Sequence, residues 1–281
     1  MTQHNLDLCA MEARLAEAGV IAPLREAERI VRREIGLNDD RDTLPAQISL
    51  DGVALGRVEK MMKGRVARVP FERLAGEVSF AGVDIELAPD VFKPYPESIA
   101  LVEHATLLLE RLPGSLRLLD LGCGTGCLLL ALLQALPRAS GVGIDLNSSS
   151  VALAQKNAAR NGLQDRATFR IASWSDDAGE SFDFAICNPP RVPTADIPLL
   201  IPEMRDHDPH FALDGGPDGL AFYTAMAEKL PLLVKSGGYG LFQLSPSQVA
   251  DVQVLFAKSG FRDVMVKSNF YGFPNALLIP C

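Results

Sequence analysis

An Asn-Pro-Pro-Arg run, Asn188 to Arg191, follows an apolar stretch at 182–187 that has the length of a buried strand. At the end of such a strand, the side-chain oxygen of Asn188 and the main-chain carbonyl of Pro189 can accept the two N–H bonds of one planar nitrogen. The lone pair of that nitrogen then faces an electrophile. Proline fixes φ and has no N–H, so the carbonyls are held in place. We therefore predict that Asn188, Pro189 and Pro190 are catalytic and act on an amide, anilino or guanidino nitrogen.

A glycine-rich turn lies upstream, where Gly122, Gly124 and Gly126 follow one predicted strand and open a helix. Glycines allow a tight turn there and let a ligand press on bare backbone. Asp145 ends the next strand, 19 residues beyond Gly126, and a carboxylate so placed can accept both hydroxyls of a ribose. The spacing differs from the Gly-x-Gly-x-x-Gly pattern of dinucleotide sites. An Asn-Pro-Pro run alone is a common turn, and its catalytic interpretation depends on this second motif.

Short apolar strands alternate with helices from Leu116 onward, which predicts an α/β domain with a mostly parallel, doubly wound sheet. The last two strands are joined by a turn at 271–274 without a helix, which predicts an antiparallel edge hairpin. The predicted strands lie near 117–121, 141–145, 167–171, 183–187, 239–244, 263–267 and 276–279, and the predicted helices near 127–136, 148–161, 218–234 and 246–258.

The N-terminal part has helical periodicity and stop signals of its own. Three helices are predicted, near 6–18, 23–35 and 51–63, the last one stopped by Gly64. Alternating apolar residues at 78–87 predict a β-hairpin. We expect a small helical substrate-recognition domain at 1–75, a β-hairpin linker at 76–90 and the α/β domain at 91–281.

Residues 189–217 contain seven prolines and show no sustained periodicity. A structureless stretch of this length inside a compact domain is usually a functional lid or binding loop. We predict that it covers the site formed by the two motifs.

Composition and charge exclude several classes of protein. The chain has 281 residues, is 48% hydrophobic and has a mean hydropathy of +0.13, which is typical of a globular protein. It contains no apolar run long enough for a membrane span, and its five scattered cysteines lack metal-ligand spacing. Residues 81–281 carry 15 basic and 22 acidic residues, which disfavours a nucleic acid partner. We expect a cytoplasmic protein that binds neither metal nor membrane.

The pattern Asp-x-Gly-x-Gly-x-Gly, followed by an acidic residue at the end of the second strand, resembles the S-adenosylmethionine (SAM) site of class I methyltransferases. The resemblance implies a Rossmann-like seven-stranded domain with SAM as its cofactor. It places Asp120 and the glycines by the methionine end of SAM, Asp145 on the ribose and Leu146 against the adenine. The implied cofactor-binding residues are Phe92, Pro94, Asp120, Gly122, Cys123, Gly124, Gly126, Asp145, Leu146, Ser173, Trp174 and Asn188.

Taken together, these motifs resemble the release-factor glutamine methyltransferase family (PrmC/HemK-like) over nearly the whole chain. Two further segments carry the resemblance. Residues 91–98 resemble that family's Pro-Arg-Pro-Glu-Thr segment, and residues 208–220 resemble its acidic-Pro and Ala-Leu-Asp-Gly-Gly-x-Asp-Gly-Leu block. Members methylate the side-chain amide of a glutamine in the Gly-Gly-Gln loop of peptide chain release factors.

The acceptor is where this chain departs from the family pattern. Arg191 replaces an aromatic residue that packs on the acceptor amide, and Tyr95 replaces the arginine of the Pro-Arg-Pro-Glu-Thr segment. An arginine fork binds carboxylates, so we expect a free amino acid acceptor, such as the δ-nitrogen of L-arginine. The predicted substrate-binding residues are Tyr95, Glu97, Arg191 and Glu203, with Glu97 or Glu203 as a base. The alternatives are glutamine N5 methylation of a release factor and a non-catalytic SAM-binding interaction protein.

Overall fold

The computed structural model describes residues 4–37, 43–45, 47–174, 176 and 180–281. The chain forms two compact units. The first comprises Met1–Gly76 together with Ile201–His207, and the second comprises Glu77–Leu200 together with Asp208–Cys281. Among the described residues, no helix combines the length and the apolar character that a membrane span requires.

The first unit is a small helical bundle around a core that includes Leu15, Ile30 and Met62. The side chain of Asp51 accepts the main-chain N–H groups of Val53 and Ala54 and so begins the third helix. The elements of its N-terminal part are β1 (His4–Asn5), α1 (Leu8–Glu17), α2 (Pro23–Glu34), β2 (Ser49–Leu50), α3 (Gly52–Val66) and α4 (Phe71–Ala75).

The prediction that α3 stops at Gly64 was wrong, because the helix continues to Val66. A Cβ built on Gly64 would lie 2.4 Å from Cδ2 of Leu74. Gly64 therefore allows α3 and the chain around Leu74 to approach closely, and it does not end the helix.

The second unit opens with a hairpin of β3 (Glu77–Phe80) and β4 (Val83–Glu86). Phe80, Val83 and Ile85 are buried in the core of this unit. The hairpin that we expected as a linker is therefore part of the second unit.

The prediction of a Rossmann-like seven-stranded domain is confirmed. The sheet has the order β10-β11-β9-β8-β5-β6-β7. The five strands from β9 to β7 are parallel, and β11 and β10 pair antiparallel at one edge. The strands are β5 (Leu116–Leu121), β6 (Ala139–Asp145), β7 (Ala167–Ile171), β8 (Phe182–Cys187), β9 (Val234–Gln243), β10 (Met265–Ser268) and β11 (Pro274–Pro280).

Strand β5 is the switch point of this sheet, because the chain runs from β5 to β6 on one side and later returns to β8 on the other. Ligands of open α/β sheets bind at such a point, at the carboxyl ends of the strands. Asp120 of β5 lies opposite Ile186 of β8. The glycine turn after β5 and the Asn-Pro-Pro run after β8 therefore begin side by side.

The helices of the second unit follow the predicted alternation. The helix predicted from residue 218 begins at Ala221, because Gly219 has a φ of +75° and the side chain of Asp218 accepts the N–H of Leu220 in the turn ahead of it. The helices of the second unit are α5 (Ile99–Leu109), α6 (Cys127–Ala135), α7 (Ser148–Arg160), α9 (His210–Leu213), α10 (Ala221–Leu233) and α11 (Val249–Lys258).

Residues 189–217, predicted to be structureless, contain short helical turns. They are a 3-10 turn (Thr194–Leu199), α8 (Pro202–Arg205) and α9. Each turn begins at or directly after a proline, Pro193, Pro202 or Pro209. Proline suits a helix start because its missing N–H has no partner there in any case. The prolines that suggested an irregular loop therefore open these turns.

Candidate functional site

The glycine turn after β5 depends on glycine at all three positions. Gly122, Gly124 and Gly126 have φ values of +70°, +53° and +80°, which L-residues with a side chain rarely adopt. A Cβ on Gly126 would also lie 3.1 Å from the ring of Phe169. The N–H groups of Gly122 and Cys123 both donate to the carbonyl of Ile144 on β6, at 2.8 and 2.9 Å. The turn is thus anchored to the neighbouring strand.

Asp145 is held in one orientation at the end of β6. One carboxylate oxygen accepts the N–H of Gly124 at 2.9 Å, and the other accepts the N–H of Asn147 at 2.8 Å. Asp145 is one of the residues that line a cavity in the second unit. Each oxygen keeps a free lone pair, so the pair can still accept two hydroxyl groups of a ligand.

A single cavity brings together most of the predicted cofactor residues and part of the predicted catalytic run. The predicted residues that line it are Phe92, Pro94, Gly122, Cys123, Gly124, Asp145, Leu146, Trp174, Asn188 and Pro190. Asp120, Gly126 and Ser173 lie beside it in the chain but do not line it. The N–H of Ser173 instead donates to a carboxylate oxygen of Asp176 at 2.7 Å.

Nine residues that line the cavity were not predicted as site residues, and they are Lys93, Ser98, Thr125, Cys127, Leu128, Ser150, Ala172, Phe211 and Ala212. Lys93 and Ser98 belong to the segment whose resemblance was noted, yet neither was predicted as a site residue. Phe211 and Ala212 belong to α9. Phe211 is 57% exposed, and an aromatic residue inside the predicted lid was the signal available in the sequence.

Asp120 is an ionisable group that is almost completely buried, with 1% of its surface exposed. One carboxylate oxygen accepts the N–H of Leu129 at 3.3 Å. The other has no hydrogen-bond partner among the described residues. Burial, and to a smaller extent the charge of Asp145, raise the pKa of Asp120 to about 7.

Asp120→Asn is expected to stabilise the protein at pH 8. It should also make the free energy of unfolding less dependent on pH between about pH 4 and pH 7. Unfolded aspartate releases its proton near pH 4, whereas folded Asp120 keeps it up to about pH 7. The wild type therefore loses stability as the pH rises through this window, by up to roughly 4 kcal/mol. Denaturant unfolding at pH 5 and pH 8 measures the effect. The exposed Asp251→Asn is the control, and equal pH profiles for Asp120→Asn and the wild type would contradict the prediction.

The side chain of Asn188 is oriented by a buried relay. Its Nδ2 donates to Oγ of Ser98 at 3.2 Å, and Ser98 Oγ donates to Oε1 of Gln243 at 2.8 Å. Ser98 and Gln243 are 2% and 3% exposed. Because the hydroxyl of Ser98 gives its proton to Gln243, it must accept from Asn188. The amide is thereby fixed with its nitrogen toward Ser98 and its oxygen available as an acceptor.

Arg191 fills the position next to that oxygen. Its Nη1 donates to Oδ1 of Asn188 at 2.5 Å and to the carbonyl of Pro189 at 3.4 Å. Burial of the guanidinium lowers the pKa of Arg191. In this structure Nη1 of Arg191 binds these two neutral oxygens, which are the two predicted for the acceptor nitrogen.

The main chain of Arg191 is clamped by the 208–220 block. Nε2 of Gln248 donates to the carbonyls of Arg191 and Gly219 at 2.9 and 3.1 Å. A Cβ on Gly215 would lie 2.7 Å from Cα of Arg191, and one on Gly219 would lie 2.4 Å from its carbonyl oxygen. The glycines of this block allow the chain after Pro190 to pass directly against it.

The other predicted substrate-binding residues do not line this cavity. The hydroxyl of Tyr95 donates to a carboxylate oxygen of Asp208 at 2.5 Å, and Nζ of Lys93 lies 3.6 Å from the centre of the Tyr95 ring. The side chain of Glu97 is exposed. The structure thus places Tyr95 as a hydrogen-bonding partner of the 208–220 block.

Glu203 belongs to the first unit. Its carboxylate accepts from Arg68, with an Nη2–Oε2 distance of 2.6 Å, and lies 3.4 Å from Nη2 of Arg65. Partial burial raises the pKa of Glu203, but the hydrogen bond from Arg68 and the charges of Arg68 and Arg65 together outweigh burial and hold the pKa below its usual range. A carboxylate engaged in this way is a poor general base.

Within the described part of the chain, no group of three or more His, Cys, Asp or Glu side chains is arranged to hold a metal ion.

Comparison with known proteins gives relatives over most of the chain. Residues 100–201 match the family model "Methyltransferase small domain". The release factor glutamine methyltransferase of Rhodospirillum rubrum is 36% identical over 94% of this chain and 81% of its own length. The enzyme of the same name from Agrobacterium fabrum is 35% identical over 92% of this chain and 90% of its own length.

Among solved structures, the hMettl16 catalytic domain superposes with a TM-score of 0.60 at 14% identity. The superposition covers 85% of this chain and 86% of that domain. At this identity the likeness supports the fold alone.

Proposed function

This chain belongs to the release factor glutamine methyltransferase family, and from that membership we propose that it methylates N5 of a glutamine in the Gly-Gly-Gln loop of a peptide chain release factor. Its class, a SAM-dependent N-methyltransferase, follows from the family. The observation that carries the proposal is the placement of Asn188, held by Ser98, in the same cavity as the glycine turn.

The cavity residues fit SAM. Gly122 and Gly124 present bare backbone, and the carboxylate of Asp145 can accept the ribose hydroxyls. Leu146, Ala172 and Trp174 provide an apolar surface for a base. When bound, SAM supplies an electrophilic methyl group on a positively charged sulfur.

The protein's own contribution to the reaction is to orient the acceptor amide. Oδ1 of Asn188 and the carbonyl of Pro189 accept its two N–H bonds, which turns the nitrogen lone pair toward the methyl group. As the nitrogen–methyl bond forms, the sulfur–methyl bond would break to leave a neutral thioether, and the nitrogen would release one of its two protons to solvent. The dipoles of these fixed carbonyls favour the positive charge that develops on nitrogen in the transition state. Pro190 and Phe211 supply apolar walls, which limit the access of water to the reacting atoms.

The comparisons favour the release factor over free L-arginine as acceptor. Relatives that are 35–36% identical over more than nine-tenths of this chain are named release factor glutamine methyltransferases, and Nη1 of Arg191 is engaged by Asn188 and Pro189. Family membership also favours an enzyme over a non-catalytic SAM-binding protein.

The direct test is methyl transfer from labelled SAM to a purified release factor. We expect one methyl group on the glutamine of the Gly-Gly-Gln loop, located by mass spectrometry. A release factor with that glutamine replaced by alanine is the matched control. Label on free arginine but not on the release factor would make free L-arginine the acceptor, and label on neither would contradict both acceptors.

Lys93→Met is expected to weaken SAM binding about 10- to 100-fold. Lys93 is the one cation, and Asp145 the one carboxylate, among the described residues that line the cavity. Because Asp145 is assigned to the ribose hydroxyls of SAM, Lys93 is suited to bind the negatively charged carboxylate of the methionine part. A charge-assisted hydrogen bond contributes about 1.5–3 kcal/mol. Isothermal titration calorimetry measures the Kd, with the exposed Lys258→Met as control.

Methylthioadenosine separates this role of Lys93 from a change in cavity shape. It has the nucleoside part of SAM but lacks the amino acid part. Wild type and Lys93→Met should bind it equally. An equal loss of affinity for both ligands would mean that Lys93 shapes the cavity and does not bind the carboxylate.

The helical part at 1–75 is proposed to recognise the release factor, which would place the enzyme in the cytoplasm with a protein partner. Hydrogen exchange of the full chain with and without the release factor tests this role. Protection should appear on exposed helix faces of 1–75. Protection confined to 91–281 would assign recognition to the α/β domain.

A further inference from the structure

We propose that the side chain of Arg191 is a built-in occupant of the acceptor site, which the substrate glutamine must displace before it can be methylated. This inference rests on the proposed function and adds a gate and a specificity-determining residue to it.

The geometry of Arg191 matches that of the substrate it stands in for. A guanidinium and a carboxamide are both planar, and both donate from an NH₂ group. One such nitrogen, Nη1 of Arg191, lies 2.5 Å from Oδ1 of Asn188 and 3.4 Å from the carbonyl of Pro189. These are the two oxygens that the acceptor amide needs. The guanidinium and the glutamine amide therefore compete for one position.

The energetic balance makes this occupant displaceable. Among the described residues, no carboxylate lies within ion-pair distance of Arg191, so the positive charge of this partly buried side chain is satisfied by neutral oxygens. Removing an unpaired charge from water is unfavourable. A neutral amide entering the same position avoids that desolvation, and the released guanidinium regains its hydration.

Only the side chain of Arg191 has to move. Its main-chain carbonyl accepts from Gln248, and its backbone packs against Gly215 and Gly219. The amide of Asn188 is tied independently to Ser98. A rotation about the side-chain bonds of Arg191 thus opens the site and leaves both acceptor oxygens in place.

Kinetics of Arg191→Met with the release factor test the competition. Methionine keeps an unbranched apolar side chain but has no N–H donor. We expect the KM for the release factor to fall about tenfold, while kcat and the Kd of SAM stay within about twofold. Arg205→Met, which removes an exposed arginine paired with Asp206, should change none of the three. An unchanged or higher KM for Arg191→Met would overturn the proposal.

A spectroscopic test keeps the gate separate from the proposed function. In protein labelled with ¹⁵N-arginine, the Nη protons of Arg191 should exchange slowly with water. Their NMR signals are assigned by their loss in Arg191→Met. The same signals should disappear in Asn188→Ala, because that variant lacks the oxygen that holds Nη1. Fast exchange in the wild type would refute the occupied site. Slow exchange in an enzyme that does not methylate the release factor would refute the proposed function and leave the gate standing.

Discussion

Asn188→Ala is expected to lower kcat by about 10²–10³-fold and to leave the Kd of SAM within about twofold. Alanine removes the acceptor oxygen that holds one N–H of the substrate amide, and with it a fixed dipole aimed at the developing charge. Most of the cofactor cavity is formed by other residues, so SAM binding should persist. Steady-state methylation of the release factor and calorimetric titration of SAM measure the two quantities.

Two further variants sharpen the interpretation of Asn188→Ala. Ser98→Ala removes the hydroxyl that accepts from Nδ2 of Asn188, so the amide can rotate, and kcat should fall by a smaller factor of about 10. Asn269→Ala removes an asparagine from the C-terminal hairpin, outside the cavity, and should leave kcat unchanged. A wild-type kcat in Asn188→Ala would remove Asn188 from the mechanism.

Gly219→Ala is expected to reduce kcat/KM by at least about 100-fold and to destabilise the fold. Gly219 has a φ of +75°, and an added Cβ would lie 2.4 Å from the carbonyl oxygen of Arg191 and 2.8 Å from Nε2 of Gln248. The left-handed conformation alone costs an alanine roughly 1–2 kcal/mol. The close contact must in addition push the chain after Pro190 away, and a displacement of about 1 Å at a catalytic group can cost about 10²-fold in rate.

Gly272→Ala separates the backbone cost from the contact with Arg191. Gly272 has a φ of +81°, and an added Cβ would meet nothing within 4 Å. It should lose a similar 1–2 kcal/mol or so of unfolding free energy and keep its activity. Denaturant unfolding and kcat/KM are measured for both variants. Equal activity in Gly219→Ala and Gly272→Ala would show that the 208–220 block does not position the catalytic run.

The fold could be predicted from local patterns because its elements have distinct periods. Most strands and helices of the α/β domain begin or end within a few residues of the sequence prediction. The exceptions involve glycine and proline, which occur in more than one structural role. Glycine stops many helices, but Gly64 lies inside α3 because Leu74 packs against it. Proline marks loops, but at 193, 202 and 209 it opens short turns.

Some features of the site could likewise be predicted from residue types, whereas others depend on which residues pack together. The glycine-rich turn, the acidic residue at a strand end and the Asn-Pro-Pro run are local patterns, so the sequence by itself determined, through their resemblance to a known family, the cofactor class and the type of reaction. The partners of long charged side chains depend on how the surrounding segments pack. Only the tertiary structure decided that Arg191 lies on Asn188 and that Glu203 binds Arg68. The reason is physical: a flexible side chain can reach many partners, and packing selects one of them.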